Sequence, residues 1–191
     1  MYGNAYGAYG SVREFVAMPG EQVNLTIQEI GDRIALRNLV DSYGVCVDSR
    51  DRDAFAALFT PNGRIVSRRP GGTEWVGQGR EDLKTKVLSF QDPPPYKQTY
   101  HLVANHVCTL ADDSAGGITY CMAHHLTEKG DEKLVHVSCL RYDDRYVRTE
   151  SGWLFEERVI TPYWSELRAA GNTVARDLIA ARFPPSSPPR R

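Results

Sequence analysis

The sequence lacks the long apolar run of about 20 residues that a membrane-spanning helix needs. Its first ten residues, rich in Gly, Tyr and Ala, also lack the basic and apolar stretches of a secretory signal peptide. The net charge is −1, from 23 basic and 24 acidic side chains. This balance offers no electrostatic attraction for nucleic acid or for an anionic membrane. We therefore expect a cytoplasmic protein with neither nucleic-acid nor membrane partners.

Motifs for metal and nucleotide binding are missing too. The four cysteines form no Cys-x-x-Cys pair, and no His-x-x-x-His or carboxylate cluster has the spacing of metal ligands. The Gly-rich loops that bind dinucleotides or phosphates are absent, as is the Gly-x-Ser-x-Gly motif of serine hydrolases. We expect four reduced, buried thiols and neither a metal ion nor a cofactor.

With 191 residues, of which 41% are hydrophobic, the chain can form one domain with a substantial core. The pattern predicts this domain over residues 25–168. Residues 1–24 are either a loose tail or an arm that packs on a neighbouring subunit. Residues 169–191 hold a weak helix over Asn172–Phe183 and a Pro-rich tail. That segment closes over a pocket mouth, docks on the outer face of the sheet or belongs to a disordered tail.

The domain begins with helical patterns. Thr26 and Glu29 have the spacing of a capping box, and an apolar face of helical period follows from Leu36 to Val47. This first helix should end near residues 48–50. The sequence predicts a short second helix over Asp51–Phe59 and a third over Arg80–Phe90.

Strand patterns follow the helices. After a short strand over Arg64–Arg68, four segments are rich in β-branched and aromatic residues. Their ranges are Tyr96–Leu110, Ile118–Glu128, Lys133–Arg148 and Trp153–Tyr163. The gaps between them are short, which favours antiparallel hairpins. The order predicts an α+β fold in which a curved, mainly antiparallel sheet wraps three helices as a cone, whose open end is the natural ligand pocket.

Spacing alone leaves the roles of the polar residues open. Asp48 faces the cavity only if the helix ends there; otherwise it faces water or caps the second helix. Alternation on the first long strand places His101 and Asn105 on one face and His106 on the other. A histidine or arginine within a strand, such as His101 or Arg158, is more often structural or solvated than catalytic. His124 and His125 must face opposite ways.

Taken together, four short motifs resemble the SnoaL-like (NTF2-like) superfamily, which includes scytalone dehydratase, hexachlorocyclohexane dehydrochlorinase and bile-acid 7α-dehydratase. The motifs are the segments 43–51, 55–63, 99–105 and 152–158, which occur in the family's order between residues 26 and 166. The resemblance implies a cone-shaped α+β barrel. Two departures stand out: Asn62 replaces the usual acidic residue of its turn, and the Ser/Asn pair of scytalone dehydratase has no clear match within 136–143.

The resemblance also implies roles for individual residues. Asp48 and His101 match the family's catalytic dyad, and Tyr43 and Arg158 match residues that hold the developing oxyanion or the leaving group. His125 matches a second pocket histidine, unless a one-residue gap shifts that match to His124. Further candidate substrate contacts are Asn105, Tyr142 and Trp75.

The expected activity is that of a cofactor-independent lyase of the dehydratase type, acting on a small hydrophobic cyclic substrate. Two alternatives use the same fold: an isomerase or polyketide cyclase with the same dyad, and a non-catalytic binding module. The outer face of the sheet carries more apolar residues than three helices on one side can cover. We therefore expect a homodimer or homotrimer.

Overall fold

The computed structural model describes residues 24–69, 71–87, 90–92, 95–130 and 132–170. Three helices occur in this part of the chain: α1 (Ile27–Ser49), α2 (Arg52–Ala57) and α3 (Gly79–Lys86). Six strands complete it: β1 (Phe59–Arg68), β2 (Glu74–Gln78), β3 (Gln98–Ala111), β4 (Ser114–Lys129), β5 (Glu132–Thr149) and β6 (Gly152–Ala169). The predicted helix over Asn172–Phe183 and nearly all of the N-terminal segment lie outside the described residues.

Helix α1 begins where the sequence predicts it. The Thr26 hydroxyl accepts a hydrogen bond from the Glu29 backbone N–H, and the Glu29 carboxylate accepts one from the Thr26 N–H. This capping box satisfies two backbone donors that the first turn leaves without a helical partner. The predicted apolar face of α1 is buried, and Leu36 and Val40 are fully inaccessible to solvent.

The strands form one sheet in the order β2-β1-β6-β5-β4-β3. All neighbouring strands are antiparallel except β1 and β6, which run parallel. Register shifts interrupt β3 after Val103 and the β5–β6 pairing at two places. Such bulges bend a sheet, and helix α1 packs against the inner face formed by β3 and β6. The predicted α+β cone with a curved, mainly antiparallel sheet is confirmed.

Several predicted element boundaries are wrong. Phe59 begins β1 rather than ending α2, because its backbone pairs with Phe155 of β6. Helix α3 ends at Lys86, and the short edge strand β2 was not predicted. The gap of residues 111–117 between the predicted strands is only a tight turn, because β3 extends to Ala111 and β4 begins at Ser114. In this turn Asp112 adopts a left-handed conformation (φ 51°), which Asp tolerates. Strand β6 runs six residues beyond its predicted end at Tyr163, to Ala169.

The outer face of the sheet carries exposed aromatic and aliphatic side chains. They include Tyr100, Leu102, Tyr120 and Trp164, each at least 41% exposed. The homodimer or homotrimer expected from such a face stays a prediction. None of the helices in the described ranges combines the length and the apolar character required to cross a membrane.

Candidate active site

Asp48 and His101 lie in contact at the junction of α1 and β3. The Asp48 Oδ1 atom lies 2.7 Å from Nδ1 of His101 and accepts a hydrogen bond from the Thr99 hydroxyl at 2.8 Å. Its Oδ2 atom accepts the backbone N–H of His101, also at 2.8 Å. The carboxylate is therefore held by both the ring and the backbone of the same histidine. The structure brings together the two residues that match the family's dyad.

The end of α1 explains why Asp48 faces inward. The helix stops at Ser49, and Arg50 follows in a left-handed conformation (φ 59°). The Arg50 guanidinium donates to the backbone carbonyls of Tyr96 and Lys97, just before β3. The helix end is thus tied to the beginning of the strand that carries His101.

Gly44 brings the helix close enough to the strand. A Cβ atom at this position would lie 3.3 Å from the His101 Cβ and 3.3 Å from a methyl group of Val103. That separation is tighter than an ordinary van der Waals contact, so a larger residue would push α1 away from β3. Glycine therefore sets the distance across which Asp48 reaches His101.

The environment sets the charge of the dyad. Burial raises the pKa of Asp48. The hydrogen bonds from His101 and Thr99 together lower it by a larger amount, so the pKa of Asp48 lies below its ordinary value. An ionised Asp48 accepts a hydrogen bond from a proton-bearing Nδ1, and in that tautomer Nε2 is the ring nitrogen that can act as a base. The His101 side chain is 7% exposed and that of Asp48 is 23% exposed. The imidazole can therefore accept a proton in a largely dry site.

His125 is the histidine of β4 that faces the dyad. Its ring centroid lies 5.9 Å from that of His101 and 6.1 Å from that of His136 on β5. Burial and the two neighbouring imidazoles lower the pKa of His125 to about 4, so it is neutral near pH 7. His124 lies on the opposite face beside Tyr100, with ring centroids 6.0 Å apart. Of the two histidines, only His125 therefore lies on the same face of the sheet as His101.

Arg158 lies deeper, in a closed cluster. Its Nε and Nη2 atoms each donate to Asp144 at 2.8 Å, and both side chains are 0% exposed. The guanidinium carbon lies 4.1 Å from the ring centroid of Tyr43 and 4.3 Å from those of Tyr142 and Phe155. Burial lowers the pKa of Arg158, but the ion pair with Asp144 more than offsets this, so the arginine stays charged.

The same cluster accounts for two other candidate residues. Burial raises the pKa of Tyr43 to about 12, and that of Tyr142 well above its ordinary value. Tyr43, Tyr142 and Arg158 are at most 5% exposed, so none of them presents an open surface to a ligand, and their predicted roles in the site stay predictions. Asp144 was missed by the sequence reasoning. Its alternation with Tyr142 and Tyr146 on β5 is the signal that could have placed it on the inner face.

Asn105 and Trp75 lie apart from the dyad. The bulge between Val103 and His106 leaves Asn105 exposed and turns His106 inward, where its Nε2 lies 3.3 Å from the Tyr146 hydroxyl. The prediction that His106 lies on the face opposite to His101 is wrong for this reason, since a bulge inverts the alternation beyond it. Trp75 on β2 is half-buried and packs against the hydrophobic core.

The four cysteines are spread over helix α1 and strands β3, β4 and β5. All four cysteines are free thiols; Cys108 and Cys121 are buried, whereas Cys46 and Cys139 are half-buried. In the part of the chain that the structure describes, no three His, Cys, Asp or Glu side chains are arranged to hold a metal ion.

The fold is an α+β cone with a half-buried Asp–His pair on the inner face of its sheet. The sequence profile of the SnoaL-like domain matches residues 28–159, which is most of the chain. The protein belongs to the SnoaL-like domain family.

Related sequences and structures agree with this assignment. An uncharacterized protein of Mycobacterium tuberculosis strain H37Rv, Rv2910c, is 29% identical over 143 residues, covering 75% of this chain and 93% of its own length. The structure of LinA superposes with a TM-score of 0.64 at 18% identity, covering 78% of this chain and 97% of LinA. A Novosphingobium aromaticivorans protein provisionally described as a scytalone dehydratase gives 0.62 at 19% identity, with 76% and 95% covered. At these identities the structural likeness concerns the fold.

Proposed function

We propose that the protein is a cofactor-independent lyase of the dehydratase type that acts on a small hydrophobic cyclic substrate. The observation that carries this proposal is the contact of Asp48 with His101, in which a half-buried carboxylate holds the imidazole by its Nδ1. A positioned imidazole with a free Nε2 is a general base suited to neutral pH. Its partner carboxylate fixes the tautomer and stabilises the imidazolium that forms.

In the proposed reaction, Nε2 of His101 removes a proton from a carbon next to a carbonyl group. The electron pair of that C–H bond forms the new C=C bond, and the C–O bond at the β-carbon breaks. The hydroxide leaves with the proton that His101 accepted, so the dyad ends in its starting state. The products are an unsaturated ketone and one water molecule. Imidazole chemistry of this kind requires neither a metal ion nor a nucleotide.

The surroundings of the dyad support an apolar, uncharged substrate. Val103 and Leu140 lie on the same face of the sheet as His101, and both are half-buried. Burial and the neighbouring imidazoles lower the pKa of His125 to about 4, which is consistent with a region that disfavours positive charge. The ionised Asp48 also disfavours a second negative charge near His101. Relatives described as dehydrochlorinases and as a scytalone dehydratase share the fold, which is consistent with elimination chemistry on cyclic compounds.

A second candidate function, isomerisation or cyclisation, uses the same proton abstraction without loss of water. The mass of the product separates the two. Incubation with cyclic β-hydroxy ketones such as 3-hydroxycyclohexanone should give a product lighter by one water molecule if the protein is a lyase, and a product of unchanged mass if it isomerises. A binding module would bind these compounds but convert none of them.

The variant Asp48→Asn tests the role of the carboxylate in the same assay. An amide cannot stabilise the imidazolium and can hold His101 in the wrong tautomer, so turnover should fall by a large factor, on the order of 10²-fold or more. Thermal unfolding of the variant serves as the control for a folded site. Undiminished turnover in this variant would remove the dyad from the mechanism.

A further inference from the structure

Three imidazoles lie in a row on the inner face of the sheet, and the proposed mechanism uses only the first. His101 on β3 is followed by His125 on β4 and His136 on β5, with ring centroids 5.9 and 6.1 Å apart. His125 and His136 are direct cross-strand partners, so their side chains leave the sheet on the same side. His136 lies outside the four motifs that resemble the SnoaL-like superfamily.

The row lies at the accessible end of the inner face. His136 is half-buried, and it pairs on its other side with Leu167 of β6, which is 62% exposed. The Nδ1 atom of His125 is buried and has no hydrogen-bond partner among the described residues. A buried polar nitrogen without a partner costs free energy that a bound ligand can restore. His125 and His136 are therefore placed to meet a ligand.

The spacing indicates the size of that ligand. His101 and His136 lie on strands two apart, which corresponds to about 10 Å across the sheet. The adjacent row on the same face continues from His101 through Ala123 to Ser138, whose side chains are small. A flat ring system can therefore lie across these strands with one end at His101 and the other near His136. Two fused six-membered rings carrying a substituent at each end have about this length.

The charges indicate the chemical class of the distal group. His125 is neutral near pH 7, because burial and the imidazoles of His101 and His136 lower its pKa to about 4. A neutral imidazole donates one hydrogen bond and accepts one, which suits a hydroxyl or a carbonyl oxygen. A carboxylate would gain no counter-charge from His125 and would be repelled by Asp48.

We propose that His136, together with His125, binds a neutral oxygen substituent of a bicyclic substrate, at the end of the ring system away from the carbon that His101 deprotonates. This inference rests on the proposed function and names the substrate class of the same site. His136 is thereby a substrate-binding residue that determines specificity.

Two naphthols that differ by one hydroxyl group test the subsite without turnover. The probes are 2-naphthol and 2,6-dihydroxynaphthalene, titrated against the full chain by their fluorescence. The wild-type protein should bind the diol about 3- to 10-fold more tightly, the value of one additional hydrogen bond between neutral groups. The variant His136→Phe keeps a ring but loses both nitrogens, and should bind both probes equally. His136→Gln, which keeps a donor and an acceptor, should restore part of the preference.

His124→Ala is the matched control, because His124 lies on the outer face one residue from His125. This variant should keep the full preference for the diol. The variant His101→Ala should bind both probes more weakly. Equal affinity of the wild-type protein for the two probes would overturn the subsite, as would a preference that survives in His136→Phe. Binding that His101→Ala leaves unchanged would also overturn it, since the probes would then lie elsewhere. Failure of water elimination in the turnover assay would instead contradict the proposed function.

Discussion

Charged side chains are fully buried at one end of the inner face of the sheet and partly exposed at the other. At the closed end, Arg158 and Asp144 are both 0% exposed and neutralise each other among aromatic rings. At the open end, Asp48 is 23% exposed, and every residue of β6 from 162 to 169 is exposed. A fully buried charge must find its partner within the protein. Polar groups at the open end can leave atoms for a ligand, which is why we place the chemistry there.

The largest effect should come from breaking the closed end. Asp144→Ala leaves a fully buried guanidinium without its counter-charge, so the free energy of unfolding should fall by about 3–5 kcal/mol. Urea denaturation measures this value. The control is Asp53→Ala, because Asp53 is exposed and water screens its surface ion pair with Lys84, so this variant should lose far less stability. Similar losses in the two variants would mean that the buried pair is not what stabilises the closed end.

A second clamp at the closed end should depend on pH. Arg148 donates to both oxygens of Asp32 at 2.6 and 2.7 Å, and Trp153 donates at 2.9 Å. The hydrogen bonds from Arg148 hold the pKa of Asp32 well below its usual range. Asp32→Asn should lower the free energy of unfolding by about 1–3 kcal/mol at neutral pH.

The sign of this pH effect follows from the depressed pKa. The stabilisation is fully present above the unfolded-state pKa of about 3.9 and is lost as the pH falls toward the folded-state value. The difference between wild-type protein and Asp32→Asn should therefore narrow below about pH 4. A difference that stays constant into strong acid would show that the carboxylate charge plays no part.

The contact between α1 and β3 should affect turnover more than stability. Gly44→Ala forces α1 and the His101 strand apart by a few tenths of an ångström. Because catalysis is sensitive to small displacements, turnover should fall roughly tenfold. Gly31→Ala in the same helix meets nothing within 4 Å, so it should leave turnover unchanged and stabilise the helix by about 1 kcal/mol. Equal turnover in both variants would show that the close contact at Gly44 does not determine the geometry of the Asp48–His101 dyad.

The smallest effect concerns the charge of His125. Because burial and the neighbouring imidazoles lower its pKa to about 4, the ring protons of His125 should show no titration in NMR spectra between neutral pH and about pH 5. In the unfolded chain the same histidine takes up a proton near its ordinary pKa of about 6.5. His125 thus makes the protein less stable as the pH falls from about 6.5 toward 4. Titration of His125 near 6.5 in the folded protein would mean that the open end is wetter than the structure indicates.

The sequence predicts those features that depend on local patterns. The capping box of Thr26 and Glu29 and the apolar period behind it specify α1, and β-rich runs specify the four long strands. The inward position of Asp48 depends on the left-handed turn at Arg50, which spacing does not reveal, so only the resemblance pointed to the dyad. The partnership of Arg158 with Asp144 depends on the pairing of β5 with β6, and the bulge in β3 inverted the expected faces beyond Val103. Both features depend on how neighbouring strands are aligned with each other, which local sequence patterns do not reveal.

Proton exchange into a ketone requires only that His101 act as a base, whatever the later steps of the reaction. The measurement is deuterium incorporation from D₂O into the acidic C–H next to the carbonyl of 2-tetralone, followed by NMR. The wild-type protein should catalyse this exchange, His101→Ala should reduce the catalysed rate on the order of 10²-fold or more, and His124→Ala should leave it unchanged. Equal exchange rates for the wild-type protein and His101→Ala would contradict the role of His101 as the base.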